Sequence, residues 1–367
     1  MWLDTRPLPK ERLNLYGGIM KKIFIFFLSI TVLLSLRASG VRAQQNPSAL
    51  ETGPLELTAQ IPLPGVRGRF DHFSFDPAEP GRVFISALGN NSVEVLNLVE
   101  GVVIRQLPGI PDPQGIVYAL GVDKLFVGSR QGKLYIYDGI TYELQTVIDY
   151  HADVDNLRYD AAAKRVYLGY GDGDTAAVGM VDATTNQRLD ELYKVGAHPE
   201  SYQLERSGPN IYVNVPDLKH VGVIDRNSNQ ITQWPVPDKM DANFPMALDE
   251  ADHRLFIVTR KPARLIVFDT HSGKVVATLP CVGDVDDIYY DANHKRVYIP
   301  GGQGFIDVFQ QKDADHYDLI TRVPTVVGAR TAGYAASLGK KGTDRFFLAV
   351  PIAPGKEASV WVYTVQE

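Results

Sequence analysis

The sequence predicts an all-β chain, a seven-bladed β-propeller of four-stranded antiparallel blades whose last blade is closed by the N-terminal strand. Three observations carry this. A basic or polar residue followed by an apolar-aromatic-apolar triplet recurs seven times, a second strand-like run follows each copy, and no long helical pattern interrupts the series.

The copies are Arg82-Val-Phe-Ile, Lys124-Leu-Phe-Val, Arg165-Val-Tyr-Leu, Asn210-Ile-Tyr-Val, Arg254-Leu-Phe-Ile, Arg296-Val-Tyr-Ile and Arg345-Phe-Phe-Leu. Successive copies are 42, 41, 45, 44, 42 and 49 residues apart, the period of a four-stranded blade. The second runs alternate apolar with small or polar residues and most end in Asp or Asn, as in Val93-Glu-Val-Leu-Asn97, Leu134-Tyr-Ile-Tyr-Asp138 and Val221-Gly-Val-Ile-Asp225. Period 2 means strand. Clusters such as Asp225-Arg-Asn-Ser-Asn229 and Asp269-Thr-His-Ser-Gly273 then supply turns before an outer strand. The seventh unit ends at Val360-Trp-Val-Tyr-Thr-Val, its third strand, while a spare strand, Leu55-Glu-Leu-Thr-Ala-Gln-Ile-Pro-Leu, precedes the first unit. Pairing the two removes two exposed sheet edges.

Residues 54–367 are thus read as a single propeller, and 44–53 as a flexible mature N-terminus. Ahead of them, Lys21-Lys22, the 14-residue apolar run Ile23 to Leu36, and Val41 and Ala43 at small-residue positions read as a cleavable secretion signal. The run is short for a membrane span, which needs about 20 residues, so no membrane anchor is expected after cleavage. Residues 1–19 show no apolar periodicity, and the true start is placed at Met20. These features point to a bacterial periplasmic or secreted protein. Removing residues 1–43, with seven Lys/Arg against Asp4 and Glu11, takes the formal charge from −6 to −11. Such an acidic chain repels phosphate backbones, so no nucleic-acid partner is expected. The lone Cys281 excludes an intramolecular disulfide. A monomer with a small-molecule or protein partner at the propeller face is the expected state.

The Arg-Val-Tyr-Leu and Val-Gly-Val-Ile-Asp units, with Gly196-Ala-His-Pro199-Glu at the fourth blade, resemble the YVTN-type, or YncE-like, seven-bladed propeller family of exported bacterial proteins. The resemblance covers nearly all of the mature chain. It implies the fold, and a role as a binding platform or, in relatives, as a lactonase.

Innermost strands line a propeller's channel, so the residues entering them converge on one face. Counting back from the repeated triplet gives a first column of Asp71, Gln114, Asp155, Glu200, Phe244, Asp286 and Ala332. A second column reads His72, Gly115, Asn156, Ser201, Pro245, Asp287 and Gly333. His198 and Arg330 lie two residues ahead of Glu200 and Ala332, and His151 lies four ahead of Asp155. Clustered carboxylates raise one another's pKa unless something positive sits among them. Arg330 with Arg69, a divalent cation or a cationic ligand would serve.

The candidate ligand-binding set is Asp71, His72, Gln114, Asp155, Asn156, His198, Glu200, Asp286, Asp287 and Arg330, with Asp71, Asp155, Glu200 and Asp286 as candidate metal ligands. Oxygen donors suit Ca²⁺ or Mg²⁺, and adding His72 or His198 would suit Zn²⁺ or Mn²⁺. The plainer alternative is that these side chains only cap backbone turns around a water-filled channel. Because the acidic column breaks at Phe244 and Ala332, a site is expected toward the first four blades and the sixth. No nucleophile elbow, His-Glu-x-x-His or Cys pair occurs, so activity stays open. A ligand-binding platform leads. The alternative is a metal-dependent, lactonase-like hydrolase in which Asp155 or Glu200 activates water.

Overall fold

The computed structural model describes residues 53–78, 81–338 and 343–367. The secretion signal, the Met20 start and the flexible mature N-terminus through residue 52 lie outside them. Among the described residues no helix is long and apolar enough to cross a membrane.

Seven four-stranded antiparallel sheets form, as the repeat predicts. The inner strands are Phe73–Asp76, Pro113–Ala119, Val154–Asp160, Tyr202–Leu204, Asp241–Asp249, Tyr289–Asp291 and Ala332–Ala335. Each second strand starts on the repeated basic or polar residue: Arg82–Ala87, Lys124–Ser129, Arg165–Tyr170, Asn210–Val215, Arg254–Lys261, Arg296–Gly301 and Arg345–Val350.

The triplet is uniformly apolar because this strand is buried on both faces. Phe84 packs with Ile116, Leu125 and Val127 of the second blade, whereas its neighbours Val83 and Ile85 pack with Phe347, Val360 and Val362 of the seventh. Alternate side chains therefore serve alternate interfaces.

In the first, second and fifth blades the basic residue clamps its blade to the next. Arg82 pairs with Asp76 at 2.6 Å and donates to the Tyr118 and Tyr142 hydroxyls of the second blade. Lys124 donates to the Ala183 and Thr184 carbonyls of the third, and Arg254 bridges Asp269 to Asp315 of the sixth. After the third strands the expected turns form: Asp138, Asp182 and Asp225 each accept two backbone N–H groups, and so does Asn97. These bonds hold the three Asp carboxyls below the usual range.

The ring closes by the predicted route. Leu55–Leu63 lies antiparallel to Ala358–Val365, paired from Leu55 opposite Val365 to Leu63 opposite Ala358 with one bulge between Leu57 and Ala59. Ile61 and Leu63 point into the core with Val360 and Phe347. Thr58 adds a bond to the Val362 carbonyl at 3.1 Å.

Three inner strands are bulged where the two aligned columns fall, at Gln114-Gly115, Asn156 and Phe244-Pro245. A bulge breaks the two-residue alternation and re-aims side chains. Asn156 takes the left-handed conformation, φ 38°, which Asn tolerates better than most residues. Gly115 is required beside it, since a Cβ there would lie 2.7 Å from the Asn156 nitrogen.

Candidate functional site

The channel holds two cavities. The smaller, about 120 Å³, lies at the mouth where chains enter the inner strands, and the larger, about 530 Å³, runs along those strands toward the opposite face. His72, Asn156 and Ser201 line both and form the partition. All three belong to the second column. Gly115 and Gly333 occupy the same level without side chains, and a Cβ on Gly333 would meet the Phe75 ring at 2.6 Å.

His72 is the charge centre of that partition. Its Nε2 lies 3.3 Å from Asp155 Oδ1 and 3.9 Å from Asp71 Oδ1, and its Nδ1 lies 3.9 Å from Asp287 Oδ1. Carboxylates from blades one, three and six thus face one imidazole. Burial opposes its charge, but the contact with Asp155 and the fields of Asp71 and Asp287 outweigh burial and raise it to about 9. It is an imidazolium at neutral pH. In return Asp155, despite burial, is held down at about 2 by His72.

Glu200, Asp71 and Asp153 are relieved less. Burial, then the charges of Asp155 and Asp71, push Glu200 up to about 8. Burial raises Asp71 and Asp153 to about 6, with Asp155 adding to both. Burial also raises Asp287. Among the described residues Glu200 has no side-chain hydrogen bond or ion pair, and Asp71 Oδ2, Asp153 Oδ1 and Asn156 Oδ1 are buried without a hydrogen-bond donor. Unpaired buried acceptors are costly, about 1–3 kcal/mol each, and a cluster of them needs an explanation.

Arginines supply the positive rim. Arg330 pairs with Asp284 and Asp286, and Arg260 pairs with Asp286 while stacking 4.2 Å over the Phe244 ring. Arg130 donates to Gln114 at 3.0 Å and lies 3.7 Å from Asp153, and Arg69 lies 3.6 Å from Asp71. The cavity takes its carboxyls from the first, third, fourth and sixth blades, and the fifth and seventh add Arg260 and Arg330. The apolar column residues of those two blades leave room for the arginines.

Of the ten candidate residues, Asp71, His72, Gln114, Asp155, Asn156, Glu200, Asp286 and Arg330 line the mouth cavity. Asp287 lines the larger one, behind His72. His198 stands behind the mouth, its Nδ1 2.8 Å from the Gly171 carbonyl. His151 is exposed, 3.1 Å from Asp149, and takes no part. The alignment missed Arg130 and Arg260, which lie just past and near the end of the second strands rather than ahead of the inner ones.

The four candidate metal ligands do not converge. Asp155 faces His72, Asp286 faces two arginines, and no three donor atoms of the set come within 4.8 Å of one another among the described residues. A group that could hold a metal forms elsewhere, from buried Asp291, His294 and Asp344. Its oxygens already accept bonds from Asn293, Tyr298, Tyr334 and the Ser337 N–H, so it also ties blade six to blade seven.

No protein-family model matches this chain. It is 25% identical over 170 residues to proteins of Salmonella typhi and Salmonella typhimurium, each described as uncharacterized protein YncE. The match spans 45% of this chain and 46% of each relative, so the chain spans about half the length of the curated relatives it matches. A chain in the crystal structure of a mitotic checkpoint complex superposes with a TM-score of 0.68 at 13% identity, covering 90% of this chain and 98% of that one. That likeness concerns the fold alone.

Proposed function

We propose that this protein is a ligand-binding propeller whose mouth takes a small amphoteric molecule, with ammonium or hydroxyl donors toward the carboxyls and acceptor atoms toward Arg69 and Arg130. The observation that carries this is a cavity of about 120 Å³ lined by Glu200, which has no side-chain partner among the described residues, and by Asp71, whose buried Oδ2 accepts no hydrogen bond and has only Arg69 near it at 3.6 Å. A donor-bearing ligand satisfies them at once. The ion pairs of Arg69 and Arg130, at 3.6 and 3.7 Å, leave guanidinium N–H groups open for its acceptors. A divalent cation is the weaker occupant, since Asp155 and Asp286 already face positive groups. The reading of residues 21–43 as a secretion signal supports binding in the periplasm or outside the cell.

Glycine and ethanolamine are suitable probes. Binding of either at pH 7 forces Glu200 to ionise and release its proton, so the calorimetric heat depends on the buffer's ionisation enthalpy. Glu200→Gln is expected to weaken binding about tenfold and to abolish that dependence. Absence of binding at millimolar concentration by folded protein overturns the proposal.

Hydrolysis of a small lactone is the second reading, favoured by two carboxyls lining one cavity in opposite surroundings: burial pushes Glu200 up to about 8, while His72 holds Asp155 down at about 2. Asp155 would take a proton from water as it adds to the carbonyl, and an arginine would hold the oxyanion. Glu200 would protonate the leaving alkoxide as the ring C–O bond breaks, and the proton on Asp155 would pass through solvent to restore Glu200. Titration of acid released from δ-valerolactone tests it. Turnover that falls above pH 8 and disappears in Glu200→Gln supports hydrolysis, and no turnover rejects it.

A further inference from the structure

We propose that the larger chamber is a second, separate site that binds a small aromatic carboxylate. Its volume, about 530 Å³, falls within the ~300–1,000 Å³ typical of small-ligand sites, unlike the mouth. Two of its lining residues are arginines, Arg158 and Arg206, and its one lining carboxylate is Asp287. That carboxylate is already engaged, by His72 on one oxygen and by the Ala332 N–H at 2.7 Å on the other.

Among the described residues neither arginine lies within 4 Å of a carboxylate oxygen, in contrast to Arg254, Arg260 and Arg330. Arg158 donates only to the Leu157 carbonyl at 2.9 Å and Ser201 Oγ at 3.3 Å, and it lies 5.4 Å from the Tyr202 ring centre. Most of its five N–H donors stay open. Glu250 stands near Arg206 but spends its oxygens on the Arg206 and Ser207 N–H groups and the Ser207 hydroxyl.

Arg158 and Arg206 also line a second cleft of about 510 Å³, with Tyr159 and Gln203, so the chamber opens between blades three and four. A ligand can enter there without passing His72. Tyr159, Tyr289, Phe73 and Phe75 supply aromatic walls. A planar ring packs on such walls, and its carboxylate meets the guanidinium groups in the bidentate geometry arginine favours.

Benzoate is the probe, with inorganic phosphate and benzylammonium as the anion without a ring and the ring without an anion. Calorimetry is expected to show benzoate binding, with weaker binding of phosphate and none of benzylammonium in this chamber. Arg206 is exposed, so Arg206→Gln is expected to fold and to weaken benzoate about tenfold, as is Arg158→Gln, with partial recovery in Arg158→Lys. Glu200→Gln is expected to leave benzoate affinity unchanged, which separates this site from the mouth. Benzoate affinity unchanged in Arg206→Gln, affinity lost in Glu200→Gln, or phosphate binding as tightly as benzoate overturns the proposal.

Discussion

The two chambers share the His72 partition and differ in nearly everything else. At the mouth, Glu200 has no partner among the described residues, while the other lining carboxyls are held in check by an imidazolium and a rim of arginines. In the inner chamber two arginines stand among aromatic rings, and the single lining carboxylate is already engaged. The same repeat builds both. What differs is position along the inner strand: entry residues are polar because they leave the blade interfaces, whereas residues further in are held between blades and become aromatic.

The sharpest way to break this contrast is to remove the partition's charge. His72→Leu leaves Asp71, Asp155 and Asp287 facing one another in a buried site, and a loss of about 3–5 kcal/mol at pH 7 is expected in urea unfolding. A change under ~0.5 kcal/mol would mean that solvent, not His72, separates the carboxylates. Arg330→Gln should cost less, on the order of 1–3 kcal/mol, because Arg260 still faces Asp286 while Asp284 loses its partner.

The pH dependence follows from the raised groups. His72, lifted from its ordinary 6.5 to about 9, contributes stability in full below pH 6.5 and loses it as pH rises through 9. Glu200, lifted from 4.5 to about 8, keeps a proton that the unfolded chain sheds, so it too makes stability fall between those values. Thermal unfolding should therefore shift downward from pH 6.5 to 9. Glu200→Gln should flatten the lower part of that slope and stabilise the protein at pH 8 by about 1–2 kcal/mol, the reverse of its effect on ligand binding. Arg206→Gln should change stability by less than ~0.5 kcal/mol while weakening benzoate, the smallest structural effect of the series.

Much of this was legible in the sequence. The blade count, the start of every second strand and the closing strand Leu55–Leu63 follow from one repeated triplet, because burial on both faces leaves a continuous apolar run. The mouth was legible as far as the counting went backward from that triplet. Counting six residues forward from the basic position gives Leu88, Arg130, Gly171, Pro216, Arg260, Gly302 and Pro351, which would have exposed the two missed arginines.

The inner chamber was not legible. Bulges at Gln114-Gly115, Asn156 and Phe244-Pro245 shift the alternation, so facing cannot be counted along those strands. The charge of His72 was likewise hidden, since it depends on the 3.3 Å approach of Asp155 from another blade.

The charge state of Glu200 tests the central claim most directly. In protein labelled with ¹³C at glutamate side-chain carboxyls, the Glu200 resonance, assigned by its loss in Glu200→Gln, should titrate with a midpoint near 8. A midpoint near the ordinary 4.5 would mean that the mouth is solvated rather than short of partners, and would contradict the account.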